Sequence, residues 1–106
     1  GGDTQGALEI LDWAVKNGCA DDFTEAIRAN TLQQSGQAKQ AAALRMEKIR
    51  TGSRNAVFYN DEAKARLDTG DTQGALEILD LAARNGCADD FTEAIRASVL
   101  RKLKTD

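Results

Sequence analysis

The sequence predicts an all-α protein of six helices arranged as repeated αα-hairpins. Segments 2–29 and 70–97 are 28 residues long and differ at only three positions. Glycine also recurs at a step of 34 residues, as at Gly18, Gly52 and Gly86, and this period is typical of helix–turn–helix repeats. We therefore expect one helical-repeat domain over residues 1–106, with a degenerate middle unit at 36–69.

The glycines mark turns, because glycine readily takes the left-handed conformation that ends a helix. In the first predicted helix, Leu8, Leu11 and Val15 recur at helical spacing. In the second, Asp22 and Glu25 form a capping-box pattern at the start. The predicted helices span residues 3–17, 22–35, 37–50, 54–68, 71–85 and 89–104.

The later helices are predicted from composition, turn glycines and helical spacing. The third is rich in alanine, and the fourth and fifth lie between turn glycines one 34-residue step apart. In the sixth, apolar residues recur every four positions, and its acidic start and basic end both suit the helix dipole. This apolar series comprises Phe91, Ile95, Val99 and Leu103.

Composition is that of a soluble, helix-rich chain. Hydrophobic residues make up 42% and charged residues 29%, proline is absent, and the net charge is −3. No apolar run approaches the roughly 18 residues that would span a bilayer. The sequence shows no pattern of a secretion leader, so a cytoplasmic protein without membrane contact is expected.

The sequence lacks the common catalytic patterns. The chain has no histidine, so no His-based triad can form. Its acidic pairs, at 21–22 and 89–90, stand at helix starts, where carboxylates serve as caps. Cys19 and Cys87 occupy equivalent turns and are expected to stay reduced, with no metal site. The sequence predicts no enzyme and no cofactor.

A basic band lies between two acidic flanks. It can bind nucleic acid, although such a band is more often a solvated face. Its basic residues are Lys39, Arg45, Lys48, Arg50 and Arg54, against the single acidic residue Glu47.

One stretch matches a known repeat pattern. In "YNDEAKARLDTGDTQGALEILDLAARNGC", Tyr59 stands at an aromatic position, Ala63 at a small one, and Gly70 at the following turn. This pattern resembles the tetratricopeptide repeat, although Arg66 replaces a usual aromatic residue and Cys87 a usual proline. The resemblance implies a right-handed solenoid of αα-hairpins, and a generic αα-solenoid is the alternative.

The same resemblance implies a groove lined by the first helix of each pair, here 22–35, 54–69 and 89–104. Such a groove would take an extended protein or peptide segment; the alternative is a merely solvated wall. The candidate groove residues are Asn30, Gln33, Gln34, Asn60, Lys64, Ser98 and Arg101.

A second resemblance is shorter. "RLDTGDTQGALEI", from Arg66 to Ile78, followed by a helix and "ADDFTE", is similar to a segment of the small terminase subunit of temperate coliphages. This resemblance implies the alternative function, a DNA-associated module acting in genome packaging. The function favoured by the whole sequence is a non-enzymatic helical-repeat scaffold or protein-interaction module.

Two further predictions concern the duplication. Near-identical copies are typical of an engineered or recently duplicated protein. In the repeat's phase, the first helix lacks a preceding partner and the last a following one, so each would expose apolar surface and favour self-association. The residues predicted for that contact are Trp13, Val15, Val99 and Leu103.

Overall fold

The computed structural model describes residues 2–105, and every regular element in that range is an α-helix. The ends of each predicted helix differ by at most two residues from those of the observed helix. The all-α prediction is therefore confirmed. The helices are α1 (Gly2–Lys16), α2 (Asp22–Gln34), α3 (Ala38–Arg50), α4 (Ala56–Asp68), α5 (Thr72–Arg84) and α6 (Asp90–Thr105).

Five glycines with positive φ end the helices. Gly18, Gly52 and Gly86 have φ of 70°, 81° and 71°, and Gly36 and Gly70 have φ of 85° and 86°. Each turn carries the same pair of hydrogen bonds from the glycine and from the residue after it, which satisfies carbonyls in the last helical turn. The predicted 34-residue step of the turns is thus present in the backbone.

The predicted capping box of Asp22 and Glu25 is wrong by one residue. Asp21 is the N-cap of α2, with extended backbone at φ −112°, and its carboxylate accepts a hydrogen bond from the backbone N–H of Thr24 at 2.8 Å. Asp22 already belongs to the helix. In the second copy Asp89 does the same for the N–H of Thr92 at 2.8 Å, because the same letters stand at the same place.

The chain folds as two compact units, and the boundary between them falls between Glu47 and Lys48, inside α3. In the first unit α1 packs on α2. Its core is one cluster of buried apolar side chains, contributed by α1, α2 and α3. The cluster comprises Leu8, Ala29, Leu32, Ala41 and Leu44.

In the second unit α4 contacts both α5 and α6, and α5 contacts α6. Small residues allow close approach of α4 and α5, while aromatic and branched side chains fill the remaining space. The buried apolar residues of these three helices are Phe58, Tyr59, Ala63, Ala75, Ile78, Leu79, Ala82, Ile95 and Val99.

Crossing a membrane requires a helix that is both long and apolar. Among residues 2–105 no helix combines these two properties.

Candidate protein-binding site

An open cleft of about 450 Å³ lies in the second unit, between the end of α4 and the second half of α6. Leu67 of α4 supplies an apolar wall, and Ser98, Arg101 and Lys102 of α6 line the other side. Arg101 donates a hydrogen bond to Ser98 Oγ at 3.2 Å. The cleft therefore presents two cationic side chains beside an apolar one.

Lys64 and Phe91 extend this surface along the same two helices. The Lys64 ammonium lies 5.2 Å from the centroid of the Phe91 ring, within the range of a cation–π contact. Phe91 is 52% exposed, and Lys64 is also exposed. We call Lys64, Leu67, Phe91, Ser98 and Arg101, together with Lys102, the α4–α6 surface.

A buried polar contact fixes the spacing of α4 and α6. Thr92 Oγ1 donates to Asn60 Oδ1 at 2.7 Å, and Asn60 Nδ2 donates to Asp89 Oδ1 at 3.4 Å. The backbone N–H of Thr92 is the main cause that holds the pKa of Asp89 below its usual value. These bonds set the position of α6 against α4, on which the surface depends.

A second polar contact joins α4 to the turn after α5. The Tyr59 hydroxyl donates to the carbonyl of Ser53 at 2.6 Å and accepts from Asn85 Nδ2 at 2.7 Å. Burial raises the pKa of the Tyr59 hydroxyl and of the nearby Cys87 thiol. Both groups therefore stay protonated at neutral pH and act as hydrogen-bond donors.

The predicted groove residues fall into two groups. Ser98 and Arg101 line the cleft together, and Lys64 lies beside Phe91 on the same two helices. Asn60 is only 5% exposed and its amide is engaged by α6. Asn60 thus positions the surface from beneath and is not part of the open wall. The remaining members lie on α2 in the first unit and are exposed; they are Asn30, Gln33 and Gln34.

The predicted basic band is not a uniformly open surface. Arg45 is only 2% exposed, and its guanidinium donates to Gln33 Oε1 at 3.0 Å. Its long apolar stem explains how a charged residue enters the core. Arg54 donates to the carbonyl of Asn85 at 3.4 Å. Of the others, Lys39 and Arg50 are exposed and Lys48 is half-buried.

The residues predicted for self-association differ in their exposure to solvent. Trp13 and Val15 are 63% and 42% exposed, as expected. The expectation that Val99 faces solvent is wrong, because Val99 is fully buried in the second unit, and Leu103 is half-buried. Ile95 and Val99 of that apolar series lie on the inner side of α6, whereas Phe91 of the same series is 52% exposed. The open face of α6 carries Leu100, 37% exposed, instead.

Three residues of the α4–α6 surface were not predicted as site residues, namely Leu67, Phe91 and Lys102. Phe91 entered the sequence analysis only as the first member of the apolar series that predicts the sixth helix. The first turn of α6 leaves it half uncovered. Two of the three could have been found from their distance in sequence to predicted residues. Leu67 lies one helical turn after Lys64, and Lys102 is the neighbour of Arg101.

Both cysteines are free thiols; Cys19 is exposed and Cys87 half-buried. No cluster of three or more metal-ligating side chains occurs within the described part of the chain.

No protein-family model, curated protein or solved structure matches the chain.

Proposed function

We propose that the chain is a non-enzymatic helical-repeat scaffold that binds a segment of another protein on the α4–α6 surface. The observation that carries this proposal is an open cleft of about 450 Å³ in which Arg101 and Lys102 lie beside the apolar side chain of Leu67. The helix caps described above engage one carboxylate of each acidic pair, Asp21 and Asp89, which favours a structural role over catalysis for these two residues.

The chemistry of the surface suggests its ligand. Lys64, Arg101 and Lys102 supply positive charge at the edge, while Leu67 and Phe91 supply apolar contact. A segment that alternates acidic and apolar side chains matches both features. Its carboxylates would reach the guanidinium and ammonium groups, and its apolar side chains would cover Leu67.

The test uses two capped probe peptides, one of alternating Glu and Leu and one of alternating Lys and Leu. We expect the acidic peptide to shift the amide NMR signals of Phe91 and Ser98 in a saturable way, and the basic peptide to leave them unchanged. Arg101→Ala should weaken acidic-peptide binding about fivefold or more, since a charge-assisted hydrogen bond is lost. Lys39→Ala, an exposed change in the first unit, is the matched control. Equal binding of both peptides would contradict the proposal.

The DNA-associated alternative receives less support from the structure. Arg45 is buried and Arg54 bonds a backbone carbonyl, so two of the five predicted cations are already engaged within the protein. Binding of duplex DNA that weakens steeply with salt would favour this alternative over the scaffold. A cytoplasmic location fits either function.

We also propose that the chain self-associates through Trp13 and Val15, and that its duplication is recent or engineered. Sedimentation at rising concentration tests the first point, with Trp13→Asp expected to restore the monomer. Identical codons in segments 2–29 and 70–97 of the encoding DNA would support the second.

A further inference from the structure

The α1–α2 and α5–α6 hairpins have the same internal geometry. Arg28 Nε pairs with Asp12 Oδ1 at 2.8 Å in the first hairpin, and Arg96 Nε pairs with Asp80 Oδ1 at 3.3 Å in the second. Their turn glycines have φ of 70° and 71°. Their second helices begin with the same aspartate cap. Each hairpin therefore presents equivalent side chains at equivalent places.

In the second hairpin these side chains hold α4. Asn85 Nδ2 donates to the Tyr59 hydroxyl at 2.7 Å, and Thr92 Oγ1 donates to Asn60 Oδ1 at 2.7 Å. Helix α5 packs against α4, and its Ile78 is only 2% exposed. These two hydrogen bonds, a further, longer one from Asn60 Nδ2 to Asp89 Oδ1 at 3.4 Å, and one apolar face thus recognise the Tyr-Asn pair of α4.

In the first hairpin the same three positions are in a different environment. Ile10, the equivalent of Ile78, is 70% exposed. Asn17, the equivalent of Asn85, donates to the carbonyl of Trp13 at 2.8 Å and is exposed. Thr24, the equivalent of Thr92, donates to Asp21 at 2.9 Å. The groups that bind α4 in the second hairpin are present here on an open face.

We propose that the α1–α2 hairpin is a second docking surface, and that its occupant is a helix with the sequence pattern of α4. This helix carries Phe-Tyr-Asn followed by alanine four residues after the tyrosine, as at Phe58 to Ala63. On binding, Asn17 Nδ2 donates its hydrogen bond to the hydroxyl of the incoming tyrosine in place of the Trp13 carbonyl. The side-chain oxygen of the incoming asparagine accepts a hydrogen bond from Thr24 Oγ1. Its apolar side covers Ile10.

The few differences between segments 2–29 and 70–97 leave this recognition intact. They replace residues of α5 that lie outside its buried face with other residues in α1, and none of them is a hydrogen-bonding partner of α4. Within those segments the differing pairs are Trp13 and Leu81, Val15 and Ala83, and Lys16 and Arg84. Beyond them α2 and α6 differ further, and the pairs are Asn30 and Ser98, Thr31 and Val99, Gln33 and Arg101, and Gln34 and Lys102. The residues used in the proposed recognition, Ile10, Asn17 and Thr24, all lie within the matched segments. The surface is separate from the α4–α6 surface, so this proposal goes beyond the proposed function and does not depend on it.

The experiment titrates the full chain with a capped peptide of residues 53–69. Trp13 is the only tryptophan and lies one turn from Ile10, so its emission reports binding to the first hairpin. We expect a saturable blue shift, with NMR shifts at Asn17 and Thr24. The Tyr59→Phe peptide should bind about fivefold more weakly, because it loses the hydrogen bond to Asn17, and the Asn60→Ala peptide about tenfold more weakly, because it loses the bonds equivalent to those with Thr92 and Asp89.

Matched variants of the chain complete the design. Ile10→Asp should abolish the blue shift, because it places a charge at the centre of the face. Gln5→Asp should leave it unchanged, because Gln5 is exposed and its equivalent, Gln73, stays exposed in the covered hairpin. Equal binding of a scrambled peptide, no response of Trp13 up to the solubility limit of the peptide, or shifts confined to Asn85 would each overturn the proposal. The acidic-peptide test above monitors the NMR signals of Phe91 and Ser98, whereas this one monitors Trp13, Asn17 and Thr24. A negative result in one test therefore leaves the other proposal standing.

Discussion

Thr92 Oγ1 donates a 2.7 Å hydrogen bond to Asn60 Oδ1, and the two side chains are 0% and 5% exposed. This bond joins α6 to α4 beneath the proposed peptide-binding surface. Its duplicate, Thr24, has no such role within the described contacts of α2. The repeated sequence therefore supplies a matched control for each contact that only one copy makes.

The Thr92→Val variant should lower the free energy of unfolding by about 1–3 kcal/mol, because it leaves the Asn60 oxygen buried without its donor. Thr24→Val loses the same hydroxyl bond to a capping aspartate, but no bond to another helix. Its cost should stay below about 1 kcal/mol. Urea denaturation followed by circular dichroism measures both, and equal losses would show that the Asn60 bond contributes nothing.

Ile78→Ala should cost about 2–5 kcal/mol, since the side chain is 2% exposed and its removal leaves a cavity. Ile10→Ala changes the same letter in the same helical sequence, but there the side chain is 70% exposed. We expect a change within about 0.5 kcal/mol for that variant. Thermal unfolding of the two proteins side by side is sufficient, and similar melting temperatures would refute the assigned burial.

Cys19 and Cys87 should react with a thiol reagent at clearly different rates. Cys19 is exposed, whereas Cys87 is half-buried and burial raises its pKa, which lowers the fraction of reactive thiolate. In denaturant both should react at once and return two thiols per chain, without prior reduction. A shortfall would reveal a disulfide and contradict the prediction that both are reduced.

Acid should destabilise the protein partly through its helix caps. Hydrogen bonds from Thr24 and Thr92 lower the folded-state pKa values of Asp21 and Asp89. A carboxyl whose pKa is lower in the folded state stabilises it above the unfolded value of about 3.9, and that contribution is lost as pH falls through the folded pKa.

The variant Asp89→Asn tests this effect, because asparagine also caps helices but does not titrate. Its urea midpoint should fall less than that of the parent between about pH 5 and about pH 3. An identical decline in both proteins would show that other carboxyls cause the acid sensitivity.

Helix positions could be predicted because they depend on local signals. Turn glycines at a fixed step and apolar residues at helical spacing act within a few residues of each other. The cap of α2 was misplaced by one residue, since Asp21 and Asp22 are adjacent and only the backbone conformation distinguishes them.

The candidate site was predicted less completely, because burial depends on contacts distant in sequence. Lys64 and Arg101 were found on the surface as expected, but Asn60 is buried. Arg45 looked like part of a solvated basic band and is covered, with Gln33 satisfying its guanidinium. The sequence could not predict that Ile10 is exposed and Ile78 buried, because the two residues stand in almost the same local sequence.

The duplication has a consequence for the future divergence of the two copies. The three positions at which they already differ are not buried in either copy. A random substitution at Ile10 has little effect on folding, while the same substitution at Ile78 removes core packing. Mutations should therefore accumulate faster in residues 2–29 than in residues 70–97, unless a bound helix restrains the first copy. A substitution rate at Ile10 as low as that at Ile78 would then indicate that a bound helix covers Ile10.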